Sequence, residues 1–423
     1  MRRAQSPSLV AVGLMALALT SLAVVSGSTV AAAKTPKITS HGGPVMGGTE
    51  AGQVTVTPIY WDPASTLGAS YESVINGFVT NVAAAAAANS MSDDFSVLLQ
   101  YNIHYAVQAG TPIVDTDAFP AGGCTPDSGA VYSDNSSYTS CLTDAQIQAE
   151  LATVITAHTL TSNLANLYVI FLPKGVESCS TSSDGTLNGT CSVNSSVSPF
   201  YCGYHSAAGA SGTPPIYATV PFPIYDSPTL KTCSDPLSPG AQGPNGTPVD
   251  PDVAVSTLSG EIIGAITDPE GNGWYDKNGR DINYDCRQQY GPVLGGTAPK
   301  ALYNETINGA HYFLQEVLSN EDFMVRRAAC VQRVDLPTSS FRFSPLSPIA
   351  GRSVPFNAKR SKGSGITQYS WNFSDGTSLT GPGYQKIRHT FVTRGTYTVS
   401  LTVTDVVGLQ DTTATTSVQV SVR

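Results

Sequence analysis

The segment over residues 256–276 holds the residue types best suited to chemistry. It contains Gly260-Glu261-Ile262-Ile263-Gly264 and, a few residues later, Asp268. A helix over 252–267 would place an apolar stripe on one face and both glycines together on another, with Glu261 on the flank. Each glycine inside a helix costs about 1 kcal/mol relative to alanine. We therefore expect a second backbone or a ligand to occupy the space that the missing side chains leave.

Alternating strand and helix patterns surround this segment. The strand patterns lie at 54–61, 95–105, 167–172 and 216–220, and the helix patterns at 70–89, 144–158 and 252–267. Because helices and strands alternate along the chain, the sequence predicts an α/β domain over residues 34–336. We expect this arrangement of helices and strands to position Glu261.

Eight cysteines lie in this part of the chain, and none lies after residue 330. An even number in an exported chain indicates disulfides. We expect sequence neighbours to pair, because each bond would then close a loop rich in Ser, Gly or Asn. A structural zinc site is the alternative, but the sequence has no C-x-x-C. The expected pairs are Cys124 with Cys141, Cys179 with Cys191, Cys202 with Cys233, and Cys286 with Cys330.

Residues 1–33 have the composition of a secretory signal peptide. Arg2 and Arg3 precede an apolar run over 9–25, and Ala31-Ala32-Ala33 supplies a small-residue cleavage site. The apolar run is long, so an uncleaved anchor is the alternative. No second long apolar run follows, and no stable membrane span is expected after cleavage. The sequence predicts a secreted or extracellular protein, free or associated with the cell surface.

Composition and missing motifs exclude several classes of function. Lys and Arg number 22 against 31 Asp and Glu, a formal net charge of -9, so a nucleic acid is not an expected partner. The sequence has no G-x-S-x-G nucleophile elbow and no phosphate-binding loop. A glycosidase pair of carboxylates stays open, because its test is a distance in space.

The chain changes character after a linker at residues 334–340. Over 395–405, Tyr397 and every second residue after it are apolar, with hydroxyl side chains between them. Alternation with a period of two indicates a half-buried β-strand. A second such strand is predicted at the end of the chain.

This C-terminal part resembles the polycystic-kidney-disease (PKD) repeat. Residues 371–376 match its W-D-F-G-D-G pattern, with Asn372 and Ser374 as departures, and 395–405 match G-x-Y-x-V-x-L-x-V-x-D. The resemblance covers nearly all of 338–422. It implies an all-β immunoglobulin-like sandwich over residues 337–423, used as a spacer or a surface-binding module and not for catalysis.

Four short motifs lie in the preceding part of the chain. They are His41-Gly42-Gly43-Pro44-Val45, Tyr201-Cys202-Gly203-Tyr204-His205, Thr267-Asp268-Pro269, and Gly271-Asn272-Gly273-Trp274-Tyr275. With these motifs, about residues 41–330 resemble a family of secreted bacterial proteins related to plant exordium, the phosphate-induced extracellular proteins. Many bacterial relatives carry H-E-x-x-E before T-D-P, whereas this chain has glycine at 260 and 264.

The resemblance suggests an enzyme hypothesis. In H-E-x-x-H hydrolases two histidines one turn apart bind zinc and the glutamate activates water. Glycine cannot bind a metal through a side chain. The ligands would therefore have to be Glu261, acting as base or ligand, with His205, His311 and Asp268, since a catalytic zinc needs about three protein ligands. A distance below about 5 Å from Glu261 to either histidine is the geometric test.

The alternative assigns the same residues structural roles. Glu261 is then a carboxylate on the flank of a helix, His205 a loop residue beside a disulfide, and Asp268 the end of the helix before a proline. A calcium loop at Asp276, Asn278 and Asp281 is weighed against a tight turn at Asn278-Gly279, and the turn is favoured.

The residues favour a secreted or cell-surface protein without catalytic activity. Its expected partner is an extracellular polysaccharide or a protein surface, and it needs no cofactor. The alternative is a secreted zinc-dependent hydrolase of the peptidase type, with G-E-x-x-G in place of H-E-x-x-H. Zinc or calcium are the metals that would accompany this alternative.

Overall fold

The structure is a computed structural model. The predicted signal segment 1–33 lies outside the residues that it describes. Among the described helices, none has the length and apolar character needed to cross a bilayer. The structure describes residues 35–47, 52–88, 90, 92–101, 103–127, 132, 135–181, 187–193, 201–209, 213–223, 233, 243, 249–297, 300–324, 328–334, 337–363, 366–407 and 410–423.

The part of the chain before residue 335 contains four described α-helices and seventeen described strands. The helices are α1 (Gly68–Ala87), α2 (Asp144–Ala157), α3 (Val249–Thr267) and α4 (Asn320–Met324). The strands are β1 (Ile38–Ser40), β2 (Val54–Trp61), β3 (Val107–Ala109), β4 (Ile113–Asp115), β5 (Ser140–Thr143), β6 (Asn166–Phe171), β7 (Val176–Thr181), β8 (Leu187–Cys191), β9 (Tyr204–Ala207), β10 (Ile216–Val220), β11 (Trp274–Asp276), β12 (Gly295–Thr297), β13 (Lys300–Tyr303), β14 (Glu305–Ile307), β15 (Ala310–Tyr312), β16 (Val317–Leu318) and β17 (Cys330–Val331).

A six-stranded sheet organises this part, with the order β3-β2-β6-β10-β9 and β4 paired to the second half of β2. Strands β3, β4 and β6 run parallel to β2, and β10 runs parallel to β6. Only the edge strand β9 is antiparallel in this sheet, pairing with β10. Helices α1 and α3 share a core with one face, and α2 shares a core with the other.

Alternation within the central strands explains the two cores. Successive side chains of a strand point to opposite faces. In β6, Val169 and Phe171 belong to the core of α1 and α3, while Ile170 belongs to the core of α2. Such a strand is buried on both faces and appears in the sequence as an unbroken apolar run.

Helix α2 begins at a capping box. The side chain of Thr143 accepts a hydrogen bond from the backbone N–H of Gln146, and the Gln146 side chain returns to the Thr143 backbone. Two backbone donors that the first turn leaves unpaired are thereby satisfied. The predicted helix at 144–158 therefore begins where the sequence places it and ends one residue earlier.

The strand predicted at 95–105 is wrong. Residues Asp94–Tyr101 form a 3₁₀ helix, and all eight are buried. A short apolar run is compatible with a buried strand or a buried helical segment, and periodicity alone does not separate them. The surrounding core imposes the helical form.

Four disulfides cross-link the described residues: Cys124–Cys141, Cys179–Cys191, Cys202–Cys233 and Cys286–Cys330. These are the pairs of sequence neighbours that we expected. Cys286 is fully buried beside Ile282 in the core that contains α3. The bond to Cys330 therefore holds the segment after α3 against the last strand of this part.

The C-terminal part is a β-sandwich with its own hydrophobic core. Its strands are β18 (Arg342–Phe343), β19 (Ser353–Asn357), β20 (Ile366–Asn372), β21 (Ser378–Gly381), β22 (Lys386–Thr390), β23 (Gly395–Val407) and β24 (Gln410–Val422). One sheet has the order β18-β19-β22 and the other β21-β20-β23-β24. Trp371 is 1% exposed and packs on Phe341 and Phe356. The predicted boundary between 336 and 337 stays a prediction, because 335–336 are not described.

Candidate functional site

Glu261 lies in the middle of α3, on a side of the helix that meets the edge of the central sheet. The residue is 7% exposed. Gly203 lies against it, since a Cβ on Gly203 would come within 3.0 Å of the Glu261 Cγ. The glutamate is therefore enclosed by the segment that leads into β9.

His205 comes from β9, where it stands opposite Ala218 of β10. Its Nδ1 lies 2.9 Å from the Glu261 Oε2, a hydrogen bond between two largely buried side chains. Its Nε2 lies 3.8 Å from the Asp281 Oδ2. The geometric test is met by His205: the imidazole sits between two carboxylates, one from α3 and one from the loop after β11.

The two glycines of α3 make room for neighbouring side chains. A Cβ on Gly264 would lie 2.6 Å from the His205 Cε1, and a Cβ on Gly260 would overlap the amide of Asn283. Asn283 is itself held by Gln315, whose Nε2 donates to its Oδ1 at 2.6 Å. The expectation of a second backbone or a ligand is wrong for the described residues, because side chains of the same chain fill both positions.

The electrostatics of the pair favour a protonated imidazole. Burial alone lowers the pKa of His205, but the hydrogen bond to Glu261 and the charges of Glu261, Asp281 and Asp268 outweigh it and raise the pKa to about 9. Burial raises the pKa of Glu261, although the hydrogen bond and charge of His205 pull in the other direction. At neutral pH the positive charge of the imidazolium therefore stabilises the buried carboxylates.

Asp268 has a structural partner. Its Oδ1 accepts a hydrogen bond from the Gly273 N–H at 2.6 Å. Burial raises its pKa, while that hydrogen bond and the charge of His205 lower it. Asp268 thus closes the turn after α3, and its carboxylate contributes to the field at His205 from a distance.

The motifs that carry the exordium resemblance meet around this turn. Strand β1 pairs with β11, so that Ser40 stands opposite Trp274. The backbone N–H of Gly43 donates to the Asn272 carbonyl at 2.9 Å, and a Cβ on Gly43 would overlap Asn272. The glycines of these motifs therefore allow two loops to touch at the C-terminus of α3. The family assignment itself stays a prediction.

His311 lies in the β14–β15 hairpin, opposite Thr306. Its ring stacks on Tyr303, with centroids 3.7 Å apart. The part of the chain that the structure describes contains three groups of acidic, histidine or cysteine residues that could hold a metal ion. Within each group the ligand atoms lie within 4.8 Å of one another, and no group contains Glu261, His205, His311 or Asp268.

The described residues do not supply the ligand set of a catalytic zinc. Such a site needs about three protein ligands, and among the described residues Glu261 and His205 have no third acidic, histidine or cysteine ligand atom within 4.8 Å of both. We therefore derive no chemical step through zinc.

The segment at Asp276 forms a turn, as favoured over a calcium loop. The Oδ1 of Asp276 accepts hydrogen bonds from the N–H groups of Asn278 and Arg280. Gly279 has a positive φ of 74°, whereas the φ of Asn278 is not positive. A type I′ turn needs positive φ at both central positions. The turn is therefore of another type, and the Asp276 carboxylate stabilises it.

Sequence reasoning named Gly203 only as part of a matching motif, missed Asn283, and considered Asp281 only for calcium. These three residues complete the surroundings of Glu261 and His205. No local pattern predicts these roles, because each depends on a contact that the tertiary fold creates.

Comparison with known proteins identifies the class of the C-terminal part. Residues 345–420 match the PKD domain family, in agreement with the β-sandwich of the structure. Residues 345–420 are therefore a PKD domain. No curated protein matches the chain.

Two solved structures resemble the chain over a limited part. One comes from work on carbohydrate-binding modules of the β-sandwich superfamily, with 33% identity, 21% of this chain and 34% of that chain covered, and a TM-score of 0.19. The other is the PKD domain of human VPS10 domain-containing receptor SorCS2, with 20% identity, 21% and 76% covered, and a TM-score of 0.17. The chain thus spans about a third of the first of these.

Proposed function

We propose that the protein acts outside the cell as a non-catalytic binding protein for a surface polymer, with a polysaccharide as the polymer. The observation that carries this proposal is the hydrogen bond of 2.9 Å between the Glu261 carboxylate and the His205 imidazole. The bond pairs Glu261 with His205, two of the four residues that the zinc-hydrolase alternative would need. The four disulfides support a place in an oxidising compartment.

A general base must reach the proton that it removes. The side chains of Glu261 and His205 are only 9% and 10% exposed, and each uses the other as its partner. Asn283 and His205 fill the positions left by the two glycines. The pair therefore works as a clamp that fixes the edge strand β9 to α3.

The loop that covers this clamp carries a surface suited to binding. Tyr284 is 39% exposed, and the guanidinium groups of Arg280 and Arg287 lie 5.1 and 4.4 Å from the centre of its ring. Tyrosine and arginine are enriched at protein–protein interfaces. The planar guanidinium donates paired hydrogen bonds to carboxylates, and the hydroxyl oxygens of a sugar can also accept its N–H groups.

The clamp fixes the base of this loop. The Asp281 Oδ1 accepts a hydrogen bond from the Tyr284 N–H at 2.7 Å, while its Oδ2 faces His205. A preorganised binding surface loses less conformational entropy when it binds. In this proposal Glu261 and His205 are positioning residues, and Tyr284, Arg280 and Arg287 contact the polymer.

The test is co-sedimentation of the full chain with insoluble cellulose, chitin and peptidoglycan. We expect retention on at least one polymer, and an at least tenfold weaker affinity for Tyr284→Ala and Arg287→Ala. Tyr384→Ala is the matched control, because Tyr384 is 38% exposed but belongs to the PKD domain.

Two results would overturn the proposal. One is no retention on any of the three polymers together with hydrolysis of a polymer or a protein substrate that Glu261→Gln abolishes. The other is stoichiometric zinc in the purified protein that Glu261→Gln removes. Retention that is lost only in Tyr384→Ala would move the binding surface to the PKD domain and contradict the role of Tyr284.

A further inference from the structure

Three carboxylates meet at the end of β4, on the side of the sheet that packs against α2. Asp115 is the last residue of β4, Asp117 follows it, and Glu150 comes from α2. One carboxylate oxygen of each lies within 4.8 Å of the other two. This group lies outside the Glu261 site and has no part in the proposed function.

Asp115 supplies the second observation. The residue is 8% exposed, and its Oδ2 is buried without a hydrogen-bond donor. The Oε1 of Glu150 is likewise buried without a donor, so the Asp115 and Glu150 carboxyls can hydrogen-bond to each other only when one of them holds a proton. Among the described residues no lysine or arginine forms an ion pair with any of the three, and burial raises the pKa of Asp115 although the nearby His158 acts against that shift. Buried carboxylate oxygens without donors or counter-charge are costly.

The rest of the fold holds the group in place. The Asp62 N–H donates to the Asp115 carbonyl at 2.8 Å, and the Trp61 Nε1–H donates to the Asp117 carbonyl at 2.9 Å. Ile147 and Leu151, on either side of Glu150 in sequence, are buried in the core between α2 and the sheet. The strand end and the helix that carry the carboxylates are therefore both anchored in the fold.

We propose that Asp115, Asp117 and Glu150 bind one Ca²⁺ ion. Calcium takes oxygen ligands at about 2.3–2.6 Å, so two oxygens on one ion lie up to about 5 Å apart. The observed limit of 4.8 Å is within that range. The group has no nitrogen or sulfur ligand, the donors that zinc prefers, and the exposed side of Asp117 leaves room for water to complete the coordination.

The ion would join α2 to the end of β4. It would neutralise the carboxylates and fix the start of the segment that runs to Cys124, whose disulfide partner Cys141 lies in β5 just before α2. The calcium is therefore structural in this proposal: it stabilises the fold, and removing it lowers thermal stability.

The experiment uses the full chain treated with EDTA and then dialysed free of it. Titration with CaCl₂ is followed by isothermal calorimetry and by thermal unfolding. We expect one bound ion and a rise in melting temperature. Asp115→Asn and Glu150→Gln should each weaken the Ca²⁺ affinity at least tenfold. Glu270→Gln, which changes an exposed carboxylate after α3, should bind as the unchanged protein does.

Variants in which one carboxylate is replaced by an amide can also be tested in the absence of calcium. Removing one carboxylate also removes repulsion, so Asp115→Asn free of calcium should be at least as stable as the unchanged protein free of calcium. The proposal is overturned if the unchanged protein shows neither binding heat nor a shift in melting temperature up to about 10 mM CaCl₂. That concentration is about tenfold above the largest dissociation constants usual for calcium sites, about 1 mM. An unaltered calcium response in both variants, or an equal response to MgCl₂, overturns it as well.

Discussion

Replacing Gly264 by alanine tests the packing of α3 against His205 directly. The added Cβ would lie 2.6 Å from the His205 Cε1 and 3.2 Å from the Asp281 Oδ2. Carbon atoms do not approach so closely, so the imidazole must move. Because Glu261 holds that ring by a hydrogen bond of 2.9 Å, the bond must lengthen or break when it does.

The expected change in the free energy of unfolding is the balance of opposing effects. Alanine in place of a helical glycine contributes about 1 kcal/mol in favour of the fold. Loss of a hydrogen bond to a charged group costs about 1.5–3 kcal/mol, and overpacking costs about 1–3 kcal/mol. We therefore expect Gly264→Ala to destabilise the protein by about 1.5–5 kcal/mol.

Gly77 of α1 offers the matched control, because a Cβ there would meet nothing within 4 Å. Gly77→Ala should stabilise the protein by up to about 1 kcal/mol. Urea unfolding followed by circular dichroism measures both changes. An NMR titration of the histidine ring protons adds a second readout, since the raised pKa of His205 should fall when the bond to Glu261 is lost. If Gly264→Ala proves as stabilising as Gly77→Ala and leaves the His205 pKa unchanged, the packing deduced here is refuted.

Two predictions concern pH. The pKa of His205 is raised from 6.5 to about 9, so the stability it contributes is fully present below about pH 6.5 and is lost as the pH rises through 9. Urea unfolding from pH 6 to 10 should show this loss, and His205→Gln should lack it; parallel curves would contradict the assignment. Burial and the charges of Asp94 and Asp93 raise the pKa of Glu305 well above its usual value, so its ionisation opposes folding as the pH rises above about 4.5. Glu305→Gln keeps an oxygen for the Asp94 N–H and should stabilise the protein by on the order of 1 kcal/mol at pH 8, with little gain at pH 4; equal effects at both pH values would count against it.

Local patterns were sufficient for the elements that position the site. Strand β2 lies at the residues where β-branched and aromatic side chains predict it. The helix containing Glu261 was predicted from its apolar spacing, although α3 begins three residues earlier than expected. The failure at residues 95–105 arose where the chain is buried on every side and no periodicity distinguishes strand from helix.

The contents of the site were harder to predict because they depend on distant contacts. Glu261 and His205 are separated by 56 residues along the chain. The glycines of α3 indicated that something must occupy the space beside them, but which side chains do so is decided by how β9 and the loop after β11 pack on the helix. The carboxylates of Asp115 and Glu150 come together only because α2 crosses the end of β4.

The packing around α3 also explains why this chain cannot have G-E-x-x-G replaced by H-E-x-x-E or H-E-x-x-H without a change in its contacts. A longer side chain at position 264 would need the volume that the His205 ring now fills, and one at 260 would need the place of the Asn283 amide. A metal-binding helix and the present clamp are therefore mutually exclusive at these positions. His205 can satisfy Glu261 only while residue 264 is as small as glycine, so a histidine introduced at 264 would displace the clamp before it could form a metal site.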